Sequence, residues 1–132
     1  MSLVYLDSSA LVKLVVAEPE SMALMEQLRA WPQRVSSTLA LTELPRALRR
    51  AGFGIAARRR AREVLGRVAL VDIDRRILLT AAALEPRALR TLDAIHLATA
   101  LTVREDLGAV VTYDRRLRAA AERVHIDVLA PA

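Results

Sequence analysis

Apolar residues in this chain alternate between short continuous runs and stripes at helical spacing. Leu3-Val4-Tyr5-Leu6 is an unbroken apolar run, the pattern of a strand covered on both faces, and it stops abruptly at Asp7. Residues 8–16 then read as a helix with Leu11, Leu14 and Val15 on one face and Ser8 or Ser9 available as its cap. Glu18-Pro19-Glu20 interrupts the helical spacing, because proline disfavours helical backbone in the residue before it. The stripe resumes over 21–30 with Met22, Met25 and Leu28 expected inward, and Trp31-Pro32 closes it.

Residues 34–37 form a weak second strand, followed by a helix containing Thr42-Glu43-Leu44-Pro45. Pro45 leaves two registers open: a start near Thr42 with proline in the first turn, or a start near Leu39 with a bend at proline. Either register puts Glu43 near the helix N-terminus. Gly52 and Gly54 mark a turn, and 55–64 is a helix with one strongly basic face. Residues 68–73 are a third strand, on which Asp72 alternates with apolar positions and faces solvent. Asp74 caps a helix over 75–84. After a loop at Glu85-Pro86-Arg87, residues 89–101 carry the clearest helical pattern, with Thr91 as a candidate cap and Asp93 in the first turn. His96, i+3 from Asp93, shares its face but looks inward, as a packing or hydrogen-bonding residue. A fourth strand at 109–112 runs into Tyr113-Asp114, a helix covers Arg115–Arg123, and 126–129 is a short last strand. Strand and helix alternate throughout, with no linker or internal repeat. This predicts one α/β domain over residues 1–132 with a mostly parallel sheet covered on both faces.

Composition narrows what such a domain does. Aromatic residues make up 3% of the chain against 54% hydrophobic, so the core is aliphatic and no aromatic platform for stacking bases is available. The absence of cysteine excludes disulfides, zinc–thiolate sites and thiol nucleophiles. No basic segment precedes the first apolar run, Asp7 interrupts that run, and no run is long enough to span a bilayer, so a cytoplasmic protein is expected. The net charge of +5 suits an anionic partner, although a charge run such as Arg58, Arg59, Arg60 and Arg62 is also what a solvated helix face looks like. Lys13 is the single lysine, and it lies in the first helix. A phosphorylation-controlled receiver domain, which shares this α/β pattern, needs a lysine near the end of its last strands, and that reading is set aside.

Acids recur at equivalent places. Asp7 and Asp114 each follow a strand end, and Glu43 and Asp93 each sit near a helix start. Singly, each has an ordinary reading: Asp7 and Asp114 as helix caps, Asp93 as a dipole-stabilising first-turn acid, Glu43 as a surface residue. If the first and fourth strands are neighbours across a topological switch, Asp7 and Asp114 line one crevice. Four carboxylates there would repel one another and call for a compensating cation, and an all-oxygen donor set favours Mg²⁺ or Mn²⁺. Such a site suits activation of water against a phosphodiester. Ser8 and Thr112 are caps whose hydroxyls are also placed to meet a phosphate or an ion's water shell.

The segments VYLDSSALVKL (4–14), TELPRAL (42–48), LRTLDAIHLATAL (89–101) and VVTYDRRL (110–117) resemble, in order and spacing, the PIN-domain ribonucleases, and specifically the VapC-type toxins of toxin–antitoxin pairs. The resemblance spans nearly the whole chain. It implies a parallel sheet of order 3-2-1-4-5 and an acidic quartet at Asp7, Glu43, Asp93 and Asp114, with Thr112 matching the polar residue before the last acid. It also implies a Mg²⁺- or Mn²⁺-dependent endoribonuclease that acts on RNA, forms a homodimer and is inhibited by a cognate antitoxin. On this reading Asp7 and Asp93 are the principal ligands, Glu43 completes the site or orients the attacking water, and Asp114 holds a second ion or its waters. The basic run is then a contact for RNA or antitoxin. Pro45, two residues after the acid, departs from the family pattern. The alternative is a catalytically silent module of the same fold that binds RNA or protein.

Overall fold

The computed structural model describes residues 3–132. Its first strand, β1 (Leu3–Leu6), is buried at every position. That follows from its place: β1 is the middle strand of a five-stranded parallel sheet of order β3-β2-β1-β4-β5. From β1 the chain builds outward to one side through β2 (Gln33–Ser37) and β3 (Ala69–Val71). It then crosses back to build the other side through β4 (Leu107–Val111) and β5 (Val128–Leu129). The sheet order agrees with the one implied by the family resemblance, and β1 and β4 are neighbours with Leu6 opposite Val111. The topological switch therefore lies between the ends of β1 and β4, where parallel sheets open a crevice.

Among the described residues, seven helices flank the sheet. Helices α1 (Ser8–Val15), α2 (Ser21–Leu28), α3 (Ala40–Arg50) and α4 (Ile55–Leu65) pack with Val4 and Leu6 on one face. On the other, α6 (Thr91–Thr102) and α7 (Arg115–Arg123) pack with Leu3 and Tyr5, and α5 (Arg75–Ala82) leans on α6. Alternate side chains of β1 thus feed opposite layers. Residues 94–100 of α6 are all buried, four of them alanine or threonine, and small side chains let this helix lie flush on the sheet.

Several expectations change in detail. Of the caps offered for α1, Asp7 serves rather than Ser8 or Ser9, and Thr91 is the first residue of α6 rather than its cap, which is Arg90 without a side-chain bond. Asp74 and Asp114 cap α5 and α7 as expected, and Asp72 is exposed. In α2 the inward positions are Ser21, Leu24 and Leu28, while Met22 and Met25 are 80% and 45% exposed. Both sets fit a helical period. The turn before α2 decides between them, because Ser21 Oγ donates to the Val16 carbonyl and accepts from the Glu18 N–H, which rotates that residue inward. Of the two registers for α3, the structure takes the earlier start, so the helix runs on through Pro45. No helix among the described residues is long and apolar enough to cross a membrane.

Candidate active site

The carboxylate of Asp7 is buried at the switch, 2% exposed. Its Oδ1 accepts the Ala10 N–H at 3.0 Å and the Ser9 hydroxyl at 2.7 Å, and its Oδ2 accepts the Thr112 hydroxyl at 2.6 Å. The same hydroxyls reach onward. Thr112 Oγ1 accepts the Asp114 N–H at 3.1 Å and Ser9 Oγ accepts the Tyr113 N–H at 2.9 Å. The loops that leave β1 and β4 are therefore stapled together by two hydroxyls with Asp7 between them. Burial pushes the Asp7 carboxyl above its ordinary range, against the opposing pull of the Thr112 and Ser9 hydrogen bonds.

Asp114 caps α7, its Oδ1 accepting the N–H groups of Arg116 and Leu117 at 2.8 and 3.1 Å. Its other oxygen accepts from Arg90 Nη2 at 2.6 Å, and Arg90 Nε donates to Asp93 Oδ2 at 3.1 Å. Two acids from different helices thus share one guanidinium. Burial, then the nearby charge of Asp114, raises the Asp93 carboxyl, and Arg90 works against both.

Glu43 arrives from the other side of the crevice, in the first turn of α3. Its Oε1 lies 2.6 Å from His96 Nε2, while His96 Nδ1 lies 2.7 Å from the Tyr5 hydroxyl. Burial holds the Tyr5 hydroxyl far above its ordinary value, and the Glu43 carboxylate can only accept. The ring then presents Nε2–H to the Glu43 carboxylate. This buried chain ties β1, α6 and α3 together, and the inward-facing His96 expected from the sequence is its middle member.

The four acids are linked in a chain: Thr112 joins the Asp7 carboxylate to the Asp114 N–H, Arg90 joins the carboxylates of Asp114 and Asp93, and α6 carries both Asp93 and His96, which holds Glu43. Among the described residues, no three His, Asp or Glu side chains close on one point as metal ligands would. Each carboxylate is instead engaged by a neighbouring donor. Beside Glu43 a groove of about 410 Å³ runs along α3, lined by Ser8, Thr42, Arg46, Arg50 and Leu92. Arg46 and Arg50 follow Glu43 at i+3 and i+7, on its own helix face. Ser8 lines this groove, and it is Ser9 that touches Asp7. Arg58, Arg59, Arg60 and Arg62 lie exposed on α4, apart from these hydrogen bonds, and Arg60 Nε donates to the Leu14 carbonyl at 3.3 Å.

Ser9, Arg90 and Tyr5 were not among the site residues expected from the sequence. The first two carry a readable signal, a hydroxyl two residues after Asp7 and an arginine three before Asp93. Tyr5 reads only as core.

The family model described as PIN domain matches residues 4–123. The chain is 50% identical to Ribonuclease VapC46 of Mycobacterium tuberculosis over 132 residues, all of both chains. Among solved structures it resembles a toxin–antitoxin complex from Klebsiella pneumoniae, with a TM-score of 0.73 and 24% identity over 98% of each chain. It also resembles Mycobacterium tuberculosis VapC20, a sarcin–ricin loop cleaving toxin, with a TM-score of 0.68 and 19% identity over 89% of this chain and 94% of that one.

Proposed function

Because the chain belongs to the VapC ribonucleases of the PIN-domain family, we propose that it is a Mg²⁺- or Mn²⁺-dependent endoribonuclease, the toxin of a type II toxin–antitoxin pair. The observation that carries this reading is the linkage of Asp7, Glu43, Asp93 and Asp114 at the switch between β1 and β4. The donor set is all oxygen, and burial raises the carboxyls of Asp7 and Asp93, with the charge of Asp114 adding to it at Asp93. Both features fit a hard divalent cation. Asp7 and Asp93 would be its principal ligands, with Glu43 and Asp114 completing the site. Bound there, such an ion supplies charge neutralisation at the phosphate and a more acidic water.

The chain's own residues supply position. His96 fixes one oxygen of Glu43, leaving the other to accept a proton from the attacking water. In the reaction the water oxygen bonds to phosphorus and the bond from phosphorus to the 3′ oxygen breaks. That oxygen takes up a proton, giving a 3′-hydroxyl and a 5′-phosphate. Arg46 and Arg50, lining the groove that leads to Glu43, suit the RNA backbone, whose phosphates position a strand without specifying its sequence. Arg58, Arg59 and Arg62 are a further basic surface for RNA or antitoxin. A single domain, a homodimer and a cytoplasmic location complete the reading.

The test is cleavage of end-labelled RNA by the purified protein with Mg²⁺, Mn²⁺ or EDTA, beside Asp7→Asn and Asp93→Asn. Cleavage that needs the ion and drops by about 100-fold or more in each variant supports it. Equal cleavage by the variants, or RNA binding without cleavage by the wild type, would overturn it.

A further inference from the structure

Arg90 takes no part in the proposed reaction, yet its guanidinium lies between two of the proposed ligands. Nε meets Asp93 Oδ2 at 3.1 Å and Nη2 meets Asp114 Oδ2 at 2.6 Å. Among the described residues, neither acid forms an ion pair with any other basic side chain. Exposure is unevenly shared: the Arg90 side chain is 57% exposed, those of Asp93 and Asp114 14% and 25%. The acids are set into the crevice and the arginine reaches in from its rim. Arg90 also stands just outside α6, with extended backbone, so its side chain approaches from the preceding loop rather than from a packed helix face.

We propose that Arg90 is a displaceable internal counter-ion, which satisfies Asp93 and Asp114 until a divalent cation takes their oxygens and which thereby sets how tightly that cation binds. This rests on reading Asp93 and Asp114 as metal ligands. Two carboxylates this close repel each other, and a planar guanidinium with several fixed N–H groups can serve one oxygen of each at once. A hard divalent ion needs those same oxygens, so ion and guanidinium compete for them. The arrangement keeps the acids neutralised in the free protein at the expense of metal affinity.

The experiment is a Mn²⁺ titration followed by the electron paramagnetic resonance signal of the free ion, on the full chain without RNA. Arg90→Gln should bind Mn²⁺ more tightly than wild type, with Kd lower by about three- to tenfold, the size expected of one partly screened charge. Arg116→Gln removes an equal charge from the first turn of α7 and leaves the bridge intact, so its Kd should stay near the wild-type value. A Kd for Arg90→Gln that is unchanged or higher would overturn the proposal. So would equal tightening by Arg116→Gln, which would mean a general field rather than displacement. Asp93→Asn separates the underlying reading. If it binds Mn²⁺ as tightly as wild type, or if wild type and Arg90→Gln both fail to bind, the metal site itself is wrong and the proposal falls with it. As a second readout, Mg²⁺ should raise the melting temperature of Arg90→Gln by more than that of wild type. An equal or smaller rise would count against displacement.

Discussion

At the scale of single residues, Asp7 does two things that conflict. It caps α1 and ties the β1 and β4 loops together, yet its charge is buried. Its carboxyl is raised in the folded protein, so between the unfolded and folded values the native state holds the proton more firmly. Stability attributable to Asp7 is therefore highest below that window and falls as pH rises through it. Asparagine keeps an oxygen for the Ala10 N–H, is a good cap, and cannot ionise. Asp7→Asn should accordingly raise stability at pH 7 in EDTA by on the order of 1 kcal/mol, or a few degrees in melting temperature. The difference should shrink as pH falls into the carboxylate range. Thermal melts of both proteins from pH 7 to 4 measure it, and a less stable variant at pH 7 would contradict this account of Asp7.

At the scale of elements, α3 shows how an irregular helix still delivers a side chain accurately. Pro45 lies inside it and lacks the N–H that would bond to the Leu41 carbonyl four residues earlier, on a residue that is 54% exposed and so open to water. Glu43 is gripped by the Tyr5–His96 chain from β1 and α6. Pro45→Ala is expected to stabilise the protein by about 1–3 kcal/mol. The rate of RNA cleavage should be unchanged. Urea unfolding and a cleavage assay check the two halves, and a large loss of rate would mean that Pro45, rather than His96, positions Glu43.

At the scale of the whole molecule, the basic charge is divided between surfaces with different settings. Arg46 and Arg50 line the groove beside Glu43, whereas Arg58, Arg59 and Arg62 stand on an exposed helix face. Replacing Arg46 and Arg50 by glutamine should weaken binding of uncleaved RNA in EDTA. It should also lower the slope of log K against log salt by about 1.4, the loss of two phosphate contacts on a single strand. An unchanged slope would remove the groove from the RNA path.

The alternation of strand and helix, the buried central strand, the caps at Asp74 and Asp114 and the recurrence of acids at strand and helix ends were all legible in the sequence. Each depends on residues within a turn or two of one another, and local spacing encodes that. Choices between equivalent local patterns were not legible. The stripe in α2 fitted Met22 and Met25 as well as Leu24 until the turn at Ser21 decided, and α3 had two starts, of which the structure takes the earlier. Ser9 rather than Ser8, the sharing of Arg90 by Asp93 and Asp114, and the line from Tyr5 through His96 to Glu43 all join segments far apart in the chain. Pairing β1 with β4 and laying α6 flat across them sets those distances. The sequence by itself determined which acids are available and at which ends they stand. Only the tertiary structure decided what holds each one, because hydrogen-bond partners are chosen by the register and packing of distant elements.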